Sequence, residues 1–422
     1  MSHLESLERK LREMSENGNS APMNEDSGAE NSSGDANSNS GNGVMCDLKI
    51  PRKFLRVLGY DGRTNDLVYC KPLSTTEDEE ISVDSDSSTT NNVDARQKCL
   101  VYFGGDMQDF PEIMEQHKEH RDRGYICWNL EATAALLQKQ FPTYNIVVVR
   151  PSRIQIMTFS CFDNFVNSAS NTGVPDHVIT HGSLQHLELL LKNLSERVEK
   201  SQQQDQILAK QIAHVSKEEE EESEVSSTTV DESLTTNGES LVVEEPEKPF
   251  NPHLDRSRIS LVGFSKGCVV LNQLMYEFHY LKTLTPDDTA MSPFVSSIED
   301  MYWLDGGHNG GKNTWITSRS LIETLCRQNI RVHVHMTPYQ LTDERRPWIR
   351  KEERTFCDWL KRFNAPLKRY VHFENEPASL QQHFRLLTEF GNAEKTMEPE
   401  GNIEDSQIGT ESTSYTGVLS MQ

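Results

Sequence analysis

Nowhere in the sequence do apolar residues run for the roughly 20 positions that a bilayer-crossing helix requires, so no transmembrane segment is expected. The eight cysteines, at 46, 70, 99, 127, 161, 268, 326 and 357, lie far apart and form neither a CxxC pair nor a metal-ligand spacing. That distribution excludes a zinc-binding or dithiol motif and fits a reducing compartment. There is no P-loop and no dinucleotide fingerprint, so neither cofactor nor metal is expected. No basic patch with interleaved aromatics occurs, and nucleic acid is not an expected partner. Apolar residues themselves are scarce: 35% of the chain is hydrophobic and the mean hydropathy is -0.64, low for a single packed globule.

Charge explains where the packed part ends. Four acidic stretches, residues 1–40, 74–94, 217–247 and 391–422, carry -5, -7, -11 and -5, or -28 together, whereas the whole 422-residue chain carries -23. The remaining 298 residues therefore come to +5, and the acidity describes tails and an insertion rather than a site. The expected organisation is a disordered N-terminal tail over 1–46, a domain over 47–390 and a disordered C-terminal tail over 391–422. The domain is expected to be interrupted by an acidic loop at 74–94 and a disordered acidic insertion at 201–250. The opening MSHLESLERKLREMSENGNS has no apolar signal core and is too acidic for an ordinary transit peptide, so it supplies no address. It does offer a short helix, with Ser2 and Glu5 at capping-box spacing and Leu4, Leu7, Leu11 and Met14 along one stripe.

Within the body, FLRVLGY and DLVYC flank Asp61-Gly62 and read as a β-hairpin. From residue 98 strands alternate with helices: CLVYF, WNLEATAALLQKQF, NIVVVR, a helix with Leu184, Leu187, Leu191 and Leu194 on one face, then ISLVG, CVVLNQLMYEFHYL, MYWLD, SLIETLCRQ, IRVHVHM, WIRKEERTFCDWLKRF and YVHFE. This alternation predicts an α/β fold, a doubly wound, mainly parallel sheet covered on both faces.

The chemistry is concentrated where ISLVG meets the following helix, at Gly263-Phe264-Ser265-Lys266-Gly267. A G-x-S-x-G by itself is common, but between a β-branched strand and a helix it forms the strained turn that lifts a serine hydroxyl above the sheet. A serine needs a histidine to take its proton and an acid to orient that histidine, in the chain order serine, acid, histidine. His383, after the last strand, is the expected base, with His308 as alternative. Asp343, after the penultimate strand, is the favoured acid, and Asp305, at the end of MYWLD, competes with it. The oxyanion hole is expected from the backbone N–H of Lys266 and from Gly105 or Asp106 after CLVYF, although a carboxylate beside a developing oxyanion is awkward. His333 and His335 share a strand face, but no third ligand has suitable spacing for a metal. Gly306-Gly307-His308-Asn309-Gly310-Gly311 is expected to line the site, and residues 159–182, with Phe159, Phe162 and Phe165, to form an apolar lid.

The segments LVGFSKGCVVLNQL, MYWLDGGHNGGKNTW, TPYQ and the late HF resemble the animal proteins named for open reading frame sixty-nine on human chromosome two, over about residues 99–165 and 258–390. The resemblance implies an α/β-hydrolase-like fold related to esterases and lipases and a mitochondrial association, with cytosolic residence as the alternative. It places Ser265 on the family's elbow serine and names no substrate. Two functions remain open: a serine hydrolase of esterase or lipase type acting on a small-molecule or lipid-like acyl ester or thioester, and a catalytically inactive hydrolase-fold scaffold that binds other proteins.

Overall fold

The computed structural model describes residues 50–74, 96–117, 124–224, 250–287 and 289–395. The N-terminal tail with its helix candidate, nearly all of the acidic loop, residues 225–249 of the insertion and the chain from 396 onward lie outside the described residues. Eight strands build the central sheet: β1 (Arg52–Leu58), β2 (Thr64–Cys70), β3 (Lys98–Phe103), β4 (Tyr144–Val149), β5 (Arg258–Phe264), β6 (Ile298–Leu304), β7 (Arg331–Met336) and β8 (Leu367–Val371). Their order is β1-β2-β4-β3-β5-β6-β7-β8. Strand β2 runs antiparallel to both β1 and β4, and every other neighbouring pair is parallel, which is the α/β-hydrolase arrangement. Between β1 and β2 the turn falls where the sequence puts it, with Asp61 at φ 56° and Gly62 at φ 70°, both in the left-handed region.

The parallel strands are buried on both faces, which is why they read as continuous apolar runs. Val101, Phe103, Leu261 and Trp303 face one core, shared with helices α2 (Ser183–Glu224), α3 (Cys268–Thr283) and α5 (Pro347–Arg362). Their strand neighbours Leu100, Tyr102, Val262 and Leu304 face the other, under α1 (Leu130–Gln140) and α6 (Leu380–Lys395). Helix α4 (Arg319–Cys326) joins β6 to β7. Each fully buried side chain of this kind contributes about 1.5–3 kcal/mol relative to exposure.

Three expectations change. Helix α2 does not stop at 200 but continues to Glu224, so residues 201–224, read as the start of a disordered insertion, are helical. The run of Gln, Lys and Glu there is strongly helix-forming, and Asp205 is tied back to Arg52 at 2.7 Å. Helix α6 likewise passes residue 390 and ends at Lys395. Residues 153–176 form two small antiparallel ladders, Arg153–Gln155 with Phe159–Cys161 and Asn167–Ser168 with Pro175–Asp176. Phe162 and Phe165, read as lid residues, are instead buried edge-on against Phe103 of the sheet, with ring centroids 5.9 and 5.1 Å away. Aromatic rings in a polar segment served a core that the segment packs onto.

Candidate active site

Strands β3 and β5 are neighbours, yet the chain leaves β3 for one side of the sheet and returns through β5 to the other. The crevice at their carboxyl ends is the switch point where ligands settle in open α/β sheets. Ser265 begins the turn between β5 and α3 and has φ 51°, a left-handed backbone that a non-glycine residue adopts only under compulsion. The flanking glycines supply the compulsion. A Cβ on Gly263 would meet Cys268 Cα at 2.8 Å, and one on Gly267 would collide with the Phe103 carbonyl oxygen, so helix and strand close to backbone contact around the serine.

Just past β6, Asp305 is fully buried and also left-handed, at φ 48°. Its own N–H donates to the His335 carbonyl at 2.7 Å, which pins the residue to β7. The carboxylate accepts from the Thr337 N–H at 2.8 Å and the Thr337 hydroxyl at 2.5 Å, and Oδ2 takes a third bond from His383 Nδ1 at 2.7 Å. His383 sits in the first turn of α6, where Ser379 accepts its N–H at 3.1 Å. Its ring is held between Phe264, 4.6 Å away by centroid, and Tyr339, 4.7 Å away. With Nδ1–H given to the carboxylate, Nε2 is the ring atom left for a neighbouring hydroxyl. Among the described residues no hydrogen bond joins the Ser265 hydroxyl to His383; such bonds are often long before substrate arrives. The connection between them is Phe264, the residue before the serine and the floor of the imidazole.

The favoured acid is therefore corrected. Asp343 is not brought to His383; its carboxylate accepts from Arg345 N–H at 2.9 Å and Arg346 Nε at 2.7 Å. Burial works to raise its carboxyl, but the hydrogen bonds and positive charges of Arg346 and Arg345 together outweigh it and hold the group below its usual range. Asp305, the competing candidate, occupies the position beside His383. His308 is also set aside as a base, because both ring nitrogens are spent: Nδ1 accepts from Gly310 N–H at 2.9 Å, and Nε2 bonds the Asn313 carbonyl at 3.2 Å. Burial, with the Lys266 ammonium nearby, pushes its pKa down to about 3. It braces the glycine loop, whose Gly307 N–H reaches the Ser265 carbonyl at 3.3 Å.

On the oxyanion side, a Cβ placed on Gly105 would lie 3.0 Å from Ser265 Cβ, so the loop after β3 is in contact with the elbow. The Lys266 side chain is buried and donates to the Thr172 carbonyl at 3.1 Å. Asp106 is half-buried; desolvation pushes its carboxyl up while the Lys266 ammonium pulls it back. Among the described residues no group of three or more His, Cys, Asp or Glu is placed to hold a metal. His333 instead bonds Asp300 at 2.9 Å, and His335 bonds His372 at 2.9 Å. Thr337 and Tyr339, which hold Asp305 and His383, were not singled out from the sequence. Their only signal is that they lie in TPYQ, at the carboxyl end of a strand.

A family model described as C2orf69 matches residues 53–366 of the chain. The mouse mitochondrial protein C2orf69 homolog is 38% identical over 294 residues, covering 68% of this chain and 76% of that protein. The human mitochondrial protein C2orf69 is 37% identical over 298 residues, covering 69% and 73%. Among solved structures, a lipase/esterase from Lactobacillus plantarum shares 14% identity over 76% of this chain and 90% of its own, with a TM-score of 0.32. The siderophore hydrolase EstA from Aspergillus nidulans shares 10% over 85% and 99%, with a TM-score of 0.35. At those identities and scores, nothing about chemistry passes from these two enzymes to this chain.

Proposed function

Since the chain belongs to the C2orf69 family and carries a serine elbow beside a buried His–Asp pair, we propose that it is a serine hydrolase of the esterase or lipase type. Ser265 is the nucleophile, His383 the base and Asp305 the orienting acid, and the substrate is an acyl ester or thioester. The observation that carries this reading is the 2.7 Å bond from His383 Nδ1 to the buried, threonine-bracketed Asp305, with the imidazole stacked on the residue preceding a left-handed serine.

In this mechanism the Ser265 oxygen attacks the acyl carbonyl as His383 Nε2 takes its proton, and the imidazolium is balanced by Asp305. The tetrahedral oxyanion is met by the Lys266 N–H, which lies in a first helical turn and lacks an intrahelical acceptor, together with an N–H of the loop after β3. Collapse expels the alcohol or thiol with the proton from His383, and a water activated by the same base releases the acid. The names of the relatives place those proteins in mitochondria, and the same compartment is proposed for this chain.

Purified protein is expected to react with a fluorophosphonate probe, and Ser265→Ala and His383→Ala to abolish the reaction. A folded wild type that does not label would sink the hydrolase reading. The missing Ser265–His383 hydrogen bond would then favour a scaffold that has kept the fold without the chemistry.

A further inference from the structure

Two N–H groups of the loop after β3 could serve the oxyanion, and their partners separate them. The Gly105 N–H is already spent on Gln108 Oε1 at 2.9 Å. That glutamine is buried and saturated: Oε1 also accepts from the Tyr102 hydroxyl at 2.8 Å, and Nε2 donates to the Trp128 carbonyl at 2.9 Å and Thr133 Oγ1 at 3.1 Å. The Met107 N–H is spent as well, on the Thr158 carbonyl at 2.7 Å. Between them, the Asp106 N–H has no acceptor among the described residues.

Ser160, which is buried on the small ladder beside this loop, controls where that N–H points. Its hydroxyl donates to the Gly105 carbonyl at 2.8 Å. The Gly105 carbonyl and the Asp106 N–H belong to one planar trans peptide and point in opposite directions, so anchoring the oxygen on Ser160 aims the N–H away from the ladder. The Ser160 N–H also donates to Asp106 Oδ1 at 2.8 Å, which holds the carboxylate on the ladder side.

We infer that Ser160 and Gln108 are positioning residues that aim the Asp106 N–H, and not the Gly105 N–H, at the oxyanion formed beside Ser265. This rests on the acyl-transfer reading above. It also resolves the objection that a carboxylate stands on the oxyanion loop, because Asp106 contributes its backbone and has its side chain tied back. The ladder is in consequence a fixed strut for the hole rather than a lid that opens over it.

The test uses the full-length chain with a fluorophosphonate probe and with 4-nitrophenyl butyrate. Ser160→Ala removes one hydroxyl and leaves the backbone bond to Asp106. It is expected to slow labelling about 10- to 100-fold and to lower kcat similarly, with KM within about twofold of wild type. Gln108→Met, which keeps the length but not the acceptor, is expected to slow both at least as much. Should that buried change unfold the protein in thermal melts, Ser160→Ala alone still decides. Wild-type labelling rates in Ser160→Ala, or a raised KM with unchanged kcat, would overturn the assignment while leaving the hydrolase reading intact. A wild type that fails to label overturns both.

Discussion

One strand, β6, carries two aspartates that each hold a histidine. Asp300, near its start, bonds His333 Nε2 at 2.9 Å, and Asp305, just past its end, bonds His383 Nδ1 at 2.7 Å. Their remaining partners set them apart. Asp300 is gripped by the Arg331 guanidinium at 2.7 and 2.6 Å, and Ser260 Oγ lies at 3.3 Å. Burial works to raise its carboxyl, but the bonds from His333 and Arg331 outweigh burial and hold it low. With a permanent cation already bound, this carboxylate has little charge to spare for an imidazolium. Asp305 has only the neutral Thr337 donors besides its histidine, so its charge is available to His383 when the ring takes a proton. The amino-terminal pair ties neighbouring strands together, and the carboxyl-terminal pair faces the elbow. A His–Asp contact is thus no signature in itself; the absence of a competing cation and the end of the sheet it occupies give it a role.

Exchanging the two acids should separate these roles. Asp305→Asn is expected to slow fluorophosphonate labelling by about 10²- to 10⁴-fold, because the amide no longer selects the tautomer with Nε2 free. A labelling rate within threefold of wild type would remove Asp305 from the mechanism. Asp300→Asn is expected to leave labelling nearly unchanged but to cost about 2–4 kcal/mol in urea unfolding, since it abandons a guanidinium and a buried imidazole. A catalytic loss without a stability loss would reverse the assignment of the two pairs.

A smaller effect sharpens the contrast with histidines that have no carboxylate. His308 and His186 are buried beside cations, Lys266 and Arg63, and burial first and that positive charge second push each pKa down to about 3. Both are neutral in the folded and unfolded chain above about pH 6.5. Below that value the unfolded chain takes up the proton first, so stability is lost as pH falls from about 6.5 toward 3. The loss is about 1.4 kcal/mol per pH unit for each ring. Urea midpoints at pH 7, 6 and 5 should fall steadily in wild type and less steeply in His308→Asn; equal slopes would show that this ring is charged in the folded protein.

The alternation of strands and helices, the hairpin and the elbow were legible because each rests on local signals: apolar runs bounded by turns, an Asp-Gly pair, and two glycines at the spacing a strained strand-to-helix turn requires. His383 was singled out by its place after the last strand. The carboxylate that meets it was not. Asp305 and Asp343 both lie between serine and histidine in the chain, and order alone cannot say which carboxylate reaches the ring; arginines two and three residues beyond Asp343 decided it by claiming that side chain. The phenylalanines at 162 and 165 were misread for a similar reason, since an aromatic ring in a polar segment is equally suited to a pocket wall or to a core.

The sequence by itself determined the alternation of elements and singled out Ser265 and His383 as candidates, because backbone propensity and periodicity act over a few residues. Only the tertiary structure decided which carboxylate meets His383, the tie between Gly105 and Gln108 and the anchoring of Asp106 on Ser160. Each of these is a choice among several nearby donors and acceptors, and it is settled by which of them the sheet brings within hydrogen-bonding distance.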